Sequence, residues 1–375
     1  MNRKKVFLIR NVGARSFGGG EVYQLDLAGE LLRAGFEPVI LSNSRELLKR
    51  AKKAGYLTLI PPYIHKQDWS GKRNLLLPLY WFRIMRMRRW YDRAFRKWQP
   101  GVVNIQSRDE MLAVTPLAHN LGIKVLWTDH ADFKNWVLWN VNRKYKNILG
   151  KIILRMARLA DRFIFVSESL LEETEKMIAP KIIPHAIAIS NGVVDVKGKY
   201  DEVLPSRHSL IYVGRLVEEK GINELVKAFS IVVEKYPDAK LNLYGEGQMS
   251  IGAGVRNVKI HRSVENVPEV LAQNAVFVLP SHREGMSLAL LEAMMMGKII
   301  VATDIPGNKQ LISNKKTGLV VRVNSNGELV HAIEWIFEHE SEATRFARNA
   351  RSEYLKKYNL DDIFRKELLV LYEDK

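Results

Sequence analysis

A chain of 375 residues is longer than one hydrophobic core usually serves and predicts two domains. Its 47% hydrophobic and 26% charged content is that of a soluble globular protein, and the absence of cysteine excludes disulfides and thiolate metal sites. The net charge of +17 is uneven, with 21 Lys/Arg against 7 Asp/Glu in residues 1–100 and 25 against 24 in residues 196–375, which implies an anionic partner for the first part of the chain: lipid, nucleic acid or a phosphorylated acceptor.

In chain order, Lys5–Arg10 reads as a strand whose apolar run is too short for a signal peptide. A glycine-rich turn, Gly13 to Gly20, then opens a helix, Glu21–Ala34. Strands follow at Glu37–Ser42, Tyr56–Ile60, Val102–Gln106, Lys124–Thr128 and Arg162–Ser167, with a second clear helix at Lys146–Ala160. Asn191 to Ser206 is polar and weakly periodic, a linker. A second series of strands occupies Ser209–Val213, Lys240–Tyr244, Val258–His261, Ala275–Leu279, Ile299–Thr303 and Gly318–Val321. Short apolar strands alternating with amphipathic helices predict an α/β protein of two doubly wound, Rossmann-like domains facing across a cleft. The expected limits are 1–192, a linker at 193–206, 207–352, and a C-terminal helix, 353–375, returning to the first domain. No apolar run approaches the roughly 18 residues of a membrane span, and the expected location is cytoplasmic.

The most informative stretch is Pro280-Ser281-His282-Arg283-Glu284-Gly285-Met286-Ser287-Leu288, which leads to Leu291-Glu292-Ala293-Met294. A strand runs into a polar turn and then a helix, at the strand's carboxyl end, where open α/β sheets bind ligands. The amides of Met286, Ser287 and Leu288 suit an anion at a helix N-terminus. Eight residues of helix rise span roughly 12 Å, so Glu284 and Glu292 are spaced to serve a sugar and a ribose, and the pattern points to a sugar nucleotide. Gly214-Arg215-Leu216-Val217-Glu218-Glu219-Lys220-Gly221 follows the first strand of the second series. There Arg215 and Lys220 either grip phosphate oxygens or form a solvated loop paired to Glu218 and Glu219.

Taken together, these segments resemble glycosyltransferase family 4, a retaining family of GT-B architecture, with the E-x7-E block as the most specific part. Gly-Gly-Gly-Glu-Val-Tyr at residues 18–23, Asp161 to Glu168, Asn191-Gly192-Val193 and Tyr358-Asn359-Leu360 are similar to the same family, so the resemblance spans almost the whole chain. It implies that Arg215 and Lys220 bind the donor diphosphate, that Glu284 contacts the donor sugar and that Glu292 contacts the ribose. It also implies that Gly285, Met286, Ser287 and Leu288 place backbone amides on the donor, that Gly245 lies near the nucleobase, and that Gly18 and Gly19 close over the phosphate. His130, after the fifth strand, stands where the family often has a histidine beside the donor sugar; a structural hydrogen-bonder, or Asp129 or Asp132 in its place, is the alternative. Met286 replaces the family's common small residue, and Gln310 a usual glutamate.

The implied reaction is retaining transfer of a hexosyl group from a nucleoside-diphosphate sugar, with the diphosphate leaving on the face the acceptor attacks. No cofactor and, in the absence of a D-x-D motif, no metal is expected. Trp81 to Gln99 sets Arg83, Arg86, Arg88 and Arg89 among aromatics, as on a helix at an anionic membrane surface, with Ile84, Met87, Tyr91, Phe95 and Trp98 as an inward stripe. Lys66, Trp69, Lys72 and Arg73 extend that basic surface. The expected partners are therefore a nucleotide-sugar donor, a glycolipid or polyprenyl-linked glycan acceptor of cell-surface polysaccharide or lipopolysaccharide synthesis, and the inner membrane face, without nucleic acid. The rival readings are a sugar-nucleotide epimerase or phosphorylase, an inactive scaffold of the same architecture, and a basic nucleic-acid-binding protein.

Overall fold

The computed structural model describes residues 3–11, 17–62, 77–130, 133, 148–177, 185–200, 206–247 and 254–373. Contacts divide the chain into two units, Met1–Ser190 with Phe364–Lys375, and Asn191–Ile363.

The first unit runs β1 (Lys5–Ile9), α1 (Gly19–Arg33), β2 (Glu37–Leu41), α2 (Arg45–Lys53), β3 (Leu57–Leu59), α3 (Leu77–Trp98), β4 (Val102–Ile105), α4 (Arg108–Asn120), β5 (Lys124–Asp129), α5 (Ile148–Ala157), β6 (Arg162–Phe165), α6 (Glu168–Met177) and β7 (Ala186–Ala188). Its strands form one parallel sheet in the order β3-β2-β1-β4-β5-β6-β7. Val6 to Ile9 and Val102 to Ile105 are buried throughout, as central strands covered on both faces must be. The sequence reading passed over β7, because three residues of Ala-Ile-Ala carry no alternation.

The second unit runs β8 (Ser209–Val213), α7 (Ile222–Lys235), β9 (Lys240–Tyr244), β10 (Val258–His261), α8 (Val267–Ala272), β11 (Val276–Leu279), α9 (Leu288–Met295), β12 (Ile299–Thr303), α10 (Pro306–Lys309), β13 (Leu319–Val321), α11 (Asn326–Glu338) and α12 (Glu340–Lys357). Its parallel sheet has the order β10-β9-β8-β11-β12-β13. Strand order reverses between β1 and β4 in one unit and between β8 and β11 in the other. Those are the two topological switch points, where the carboxyl ends of neighbouring strands leave a crevice.

Two expectations change in the structure. The stretch read as one C-terminal helix is broken after Lys357, because Asn359 pairs with Val193 as an isolated bridge and the Leu360 amide donates to the Val193 carbonyl at 3.0 Å. Helical turns resume beyond it, and the last of them packs in the first unit, where Asn104 donates to the Tyr372 hydroxyl at 2.6 Å and Lys4 to the Tyr372 carbonyl at 3.0 Å. Of the residues read as a linker, the described stretch at Val193 and Asp195 is likewise held in the second unit. Tyr354 donates to the Val193 carbonyl at 2.9 Å, and Asp195 pairs with Arg351 at 2.6 Å.

Candidate active site

In the second unit two loops meet at the switch point. The loop after β8 makes one 3-10 turn, Glu218–Lys220, and ends on Gly221 with φ of 68°. A side chain at Gly221 is sterically barred, since its Cβ would lie 2.1 Å from the Pro280 carbonyl oxygen of the loop after β11. The two loops also share a backbone bond from the His282 amide to the Glu219 carbonyl at 2.9 Å. This close apposition brings the Lys220 ammonium 2.7 Å from Glu284 Oε1, and Ser281 donates to the same oxygen at 2.7 Å. Lys220 and Glu284 are 14% and 11% exposed, so the pair is largely desolvated and its charges act at low dielectric. Lys220 carries three donors, and Glu284 occupies one of them.

Arg215 behaves differently. Its guanidinium is 61% exposed and paired to Glu219 at 2.6 Å, while Tyr212 donates to its carbonyl at 2.9 Å. Of the two expected cations, only Lys220 is built into the loop junction; Arg215 takes the carboxylate partner that the solvated-loop alternative assigned it.

Glu284 lies outside the helix, which corrects the expected carboxylate spacing. Ser287 caps α9, accepting from the Leu290 amide at 3.3 Å, so helical rise begins only at Leu288 and continues to Glu292. Met286 and Ser287 are buried, and the loop they close is backed by Gly307, whose Cβ would come within 2.6 Å of the Glu284 and Gly285 carbonyls. Gly245 has the same kind of requirement, with its Cβ position 1.8 Å from the Gly214 carbonyl. Sequence reasoning missed the residues behind this loop. Thr303 donates to the Ser281 carbonyl, and Asn308 donates to the Thr303 carbonyl at 3.0 Å. Their only signal was position, at and just after the end of β12.

In the first unit, Gly18 and Gly19 stand at the start of α1, where the Gly18 amide donates to Glu21 at 2.8 Å. The close approach belongs to neither. It belongs to Gly20, whose Cβ would meet the Arg10 guanidinium carbon at 2.3 Å, and Arg10 in turn pairs with Glu21 at 2.8 Å. His130 follows β5 with its Nε2 3.1 Å from Gln106 Oε1 and its ring edge-on to Tyr23 at 5.0 Å. Burial, with the Arg10 charge adding to it, holds its imidazole well below the usual histidine range, so it is neutral at pH 7. Asp129 accepts from the Phe133 amide at 3.0 Å. Asp132, Lys66, Trp69, Lys72 and Arg73 lie outside the described residues.

On α3 the expected inward stripe of Ile84, Met87, Tyr91 and Phe95 is buried and Trp98 is half-buried. Arg86 and Arg89 are exposed and Arg83 is half-buried. Arg88 turns to α4 and donates to the Ala113 carbonyl at 3.3 Å, which removes it from the basic face. Among the described residues no helix is long and apolar enough to cross a membrane, and no group of three or more His, Asp or Glu is placed to hold a metal ion.

Two family models match the chain, Glycosyltransferase Family 4 over residues 17–193 and Glycosyl transferases group 1 over residues 202–353. The chain is a glycosyltransferase built of these two domains. It is 25% identical over 356 residues to an uncharacterized glycosyltransferase of Haemophilus influenzae, covering 90% of this chain and 91% of that one. It is 29% identical over 183 residues to the capsular polysaccharide biosynthesis glycosyltransferase CapM of Staphylococcus aureus, covering 46% of this chain and 48% of CapM. The fold is shared with a variant of S. aureus TarM solved with fondaparinux, α-GlcNAc-glycerol and UDP, at a TM-score of 0.77 and 15% identity over 99% of this chain and 100% of TarM. The glycosyltransferase thus has the two parallel-sheet domains of the GT-B fold.

Proposed function

We propose that the enzyme is a retaining hexosyltransferase that takes its sugar from a nucleoside diphosphate and places it on a membrane-associated glycan of a cell-surface polysaccharide or lipopolysaccharide. The observation that carries this reading is the Lys220–Glu284 pair, locked between two loops by Gly221 at the switch point. Lys220 keeps donors for the diphosphate while holding Glu284 toward the sugar hydroxyls, and the α9 N-terminus adds positive potential where the leaving group gains charge. Glu292, one helical turn on, serves the ribose. With the leaving diphosphate accepting the acceptor's proton on the same face, the sequence of steps calls for neither a metal nor a carboxylate nucleophile. CapM and TarM, whose names and ligands concern polysaccharide and UDP, favour this substrate class.

Purified enzyme incubated with UDP-, GDP- and ADP-sugars and membrane extract should release nucleotide. Lys220→Ala should lower release by on the order of a hundredfold or more. Unchanged turnover in that variant, or no nucleotide-sugar binding at all in the wild type, would remove the assignment.

The face of α3 supports attachment to anionic lipid from the cytoplasmic side. Leu79, Phe82 and Met85 are exposed apolar side chains at helical spacing, and the exposed arginines Arg86 and Arg89 continue the same face. Neutralising Arg86 and Arg89 to glutamine should weaken sedimentation with phosphatidylglycerol vesicles roughly thirtyfold, at about 1 kcal/mol per charge. Equal binding by variant and wild type would place the lipid contact elsewhere.

A further inference from the structure

We infer that Thr303 and Asn308 are positioning residues for Glu284, acting through Ser281 so that one carboxylate oxygen, Oε2, is turned outward to the donor sugar. This role rests on the glycosyl-transfer reading above and belongs to the second unit alone. The hydrogen bonds that carry it start at the carboxyl end of β12, where Asn308 donates to the Thr303 carbonyl at 3.0 Å and to the Thr303 hydroxyl at 3.2 Å. That hydroxyl therefore accepts from Asn308, and its one hydrogen goes to the Ser281 carbonyl. The other carbonyl in reach, that of Leu279, is 3.5 Å away and the poorer acceptor. Ser281 in turn donates from its own hydroxyl to Glu284 Oε1 at 2.7 Å.

Burial makes these bonds hard to replace. Ser281 and Asn308 are fully buried and Thr303 is nearly so, so water does not stand in for a lost partner, and breaking one link orphans a polar group. Gly307 closes the back of the same loop, with its Cβ position 2.6 Å from the Glu284 and Gly285 carbonyls. The loop that carries Glu284 is thus tied through Ser281 to the end of β12.

Where the bonds end shows what they are for. Lys220 and Ser281 both reach Oε1, at 2.7 Å each, while Oε2 takes no bond among the described residues. A carboxylate accepts on both oxygens, so placing two donors on one of them fixes the rotation of the group and leaves the other to read the sugar. Lys220 alone is a point charge on a flexible stem and does not set that rotation. Ser281 sets it, because its backbone is held by Thr303 and Thr303 by Asn308. How well Oε2 meets a sugar hydroxyl in the transition state then depends on residues that never touch the substrate.

Thr303→Val keeps the shape of the side chain and removes the hydroxyl, while Thr303→Ser keeps the hydroxyl. Nucleotide release is measured on the full chain with whichever of UDP-glucose, GDP-mannose and ADP-glucose the wild type turns over fastest. Thr303→Val should lower kcat roughly tenfold. Its Kd for the free nucleotide, which lacks the sugar, should stay within about twofold of wild type. Thr303→Ser should restore turnover. In a Glu284→Gln background Thr303→Val should cost nothing further, because the carboxylate it aims is gone. Crystal structures of the two Thr303 variants test the geometry with no donor present: the Ser281–Glu284 bond should be lost with valine and kept with serine. The positioning role is overturned by wild-type kcat in Thr303→Val, by equal losses in Thr303→Val and Thr303→Ser, or by an undiminished loss in the Glu284→Gln background. It is overturned equally by a parallel loss of nucleotide affinity, which marks a merely structural role, or by an intact Ser281–Glu284 bond in the valine variant. Lys220→Ala tells the two readings apart. Wild-type release in that variant removes the donor site itself, whereas its expected loss beside an unaffected Thr303→Val removes only the positioning role.

Discussion

The two switch points of this enzyme put different chemistry on the same sheet geometry. In the second unit the crevice holds a desolvated ion pair, Lys220 with Glu284, and glycines hold the loops close enough to make it. In the first there are two separate hydrogen-bonded groups, Asn11 and Ser107 on the buried carboxyl of Glu110, and Gln106 with the uncharged imidazole of His130. Charge is held as a desolvated ion pair in one crevice, while the hydrogen-bonded side chains of the other include an uncharged imidazole. Preorganised charge contributes most where a leaving group gains negative charge, which marks the second unit's crevice as the electrostatic one.

The contrast breaks most sharply at Gly221. Its left-handed backbone and its contact with the Pro280 carbonyl mean that Gly221→Ala must part the loops carrying Lys220 and Glu284. The expected loss is about 3 kcal/mol of stability, with transfer falling by on the order of a hundredfold as the electrostatic site opens. Gly198→Ala in the same unit, where an added Cβ meets nothing within 4 Å, is the matched control and should be neutral. Urea unfolding and nucleotide release on both variants would measure the difference. Near-equal effects would mean the glycine is not what holds the pair together.

That same difference decides how much was legible beforehand. The charged site is written locally. Gly-Arg-Leu with Lys-Gly, and Pro-Ser-x-x-Glu-Gly, each sit on one loop after one strand, and the family resemblance these local motifs carry brought Lys220 and Glu284 into view. The parallel sheets were equally readable, and four strands of the second unit begin and end where the sequence placed them, because buried parallel strands are short apolar runs between turns. The first unit's hydrogen-bonded groups are written across the fold. Asn11, Gln106 and His130 end three different strands, Glu110 lies in the first turn of α4, and each residue type is ordinary in a strand-to-helix turn. Only the pairing of β1 with β4 and of β4 with β5 makes them neighbours. His130 was visible singly, but its partner Gln106 was not. Arg215 shows the converse limit, since a motif gives a residue's place on a loop without showing whether its side chain already has a carboxylate partner.

The smallest expected effect tests the charge on Glu110 in the first unit's crevice. Glu110 has a folded-state value of about 8 against an ordinary 4.5, raised by burial first and by Asp109 second. The folded protein therefore binds this proton more tightly than the unfolded chain. The group's contribution is fully present below about 4.5 and declines as pH rises toward 8, beyond which the buried carboxyl is charged in both states. Glu110→Gln keeps an oxygen for Asn11 and removes the titration, so the stability difference between variant and wild type should move in the variant's favour from pH 5 to pH 8.5. Taking that difference cancels other titrating groups, including Lys298, which burial lowers to about 8 and which acts in the opposite direction only above that pH. Thermal melts of both proteins across that range are the measurement. A difference independent of pH would show Glu110 already ionised at neutrality, and the crevice would then carry a buried negative charge of its own.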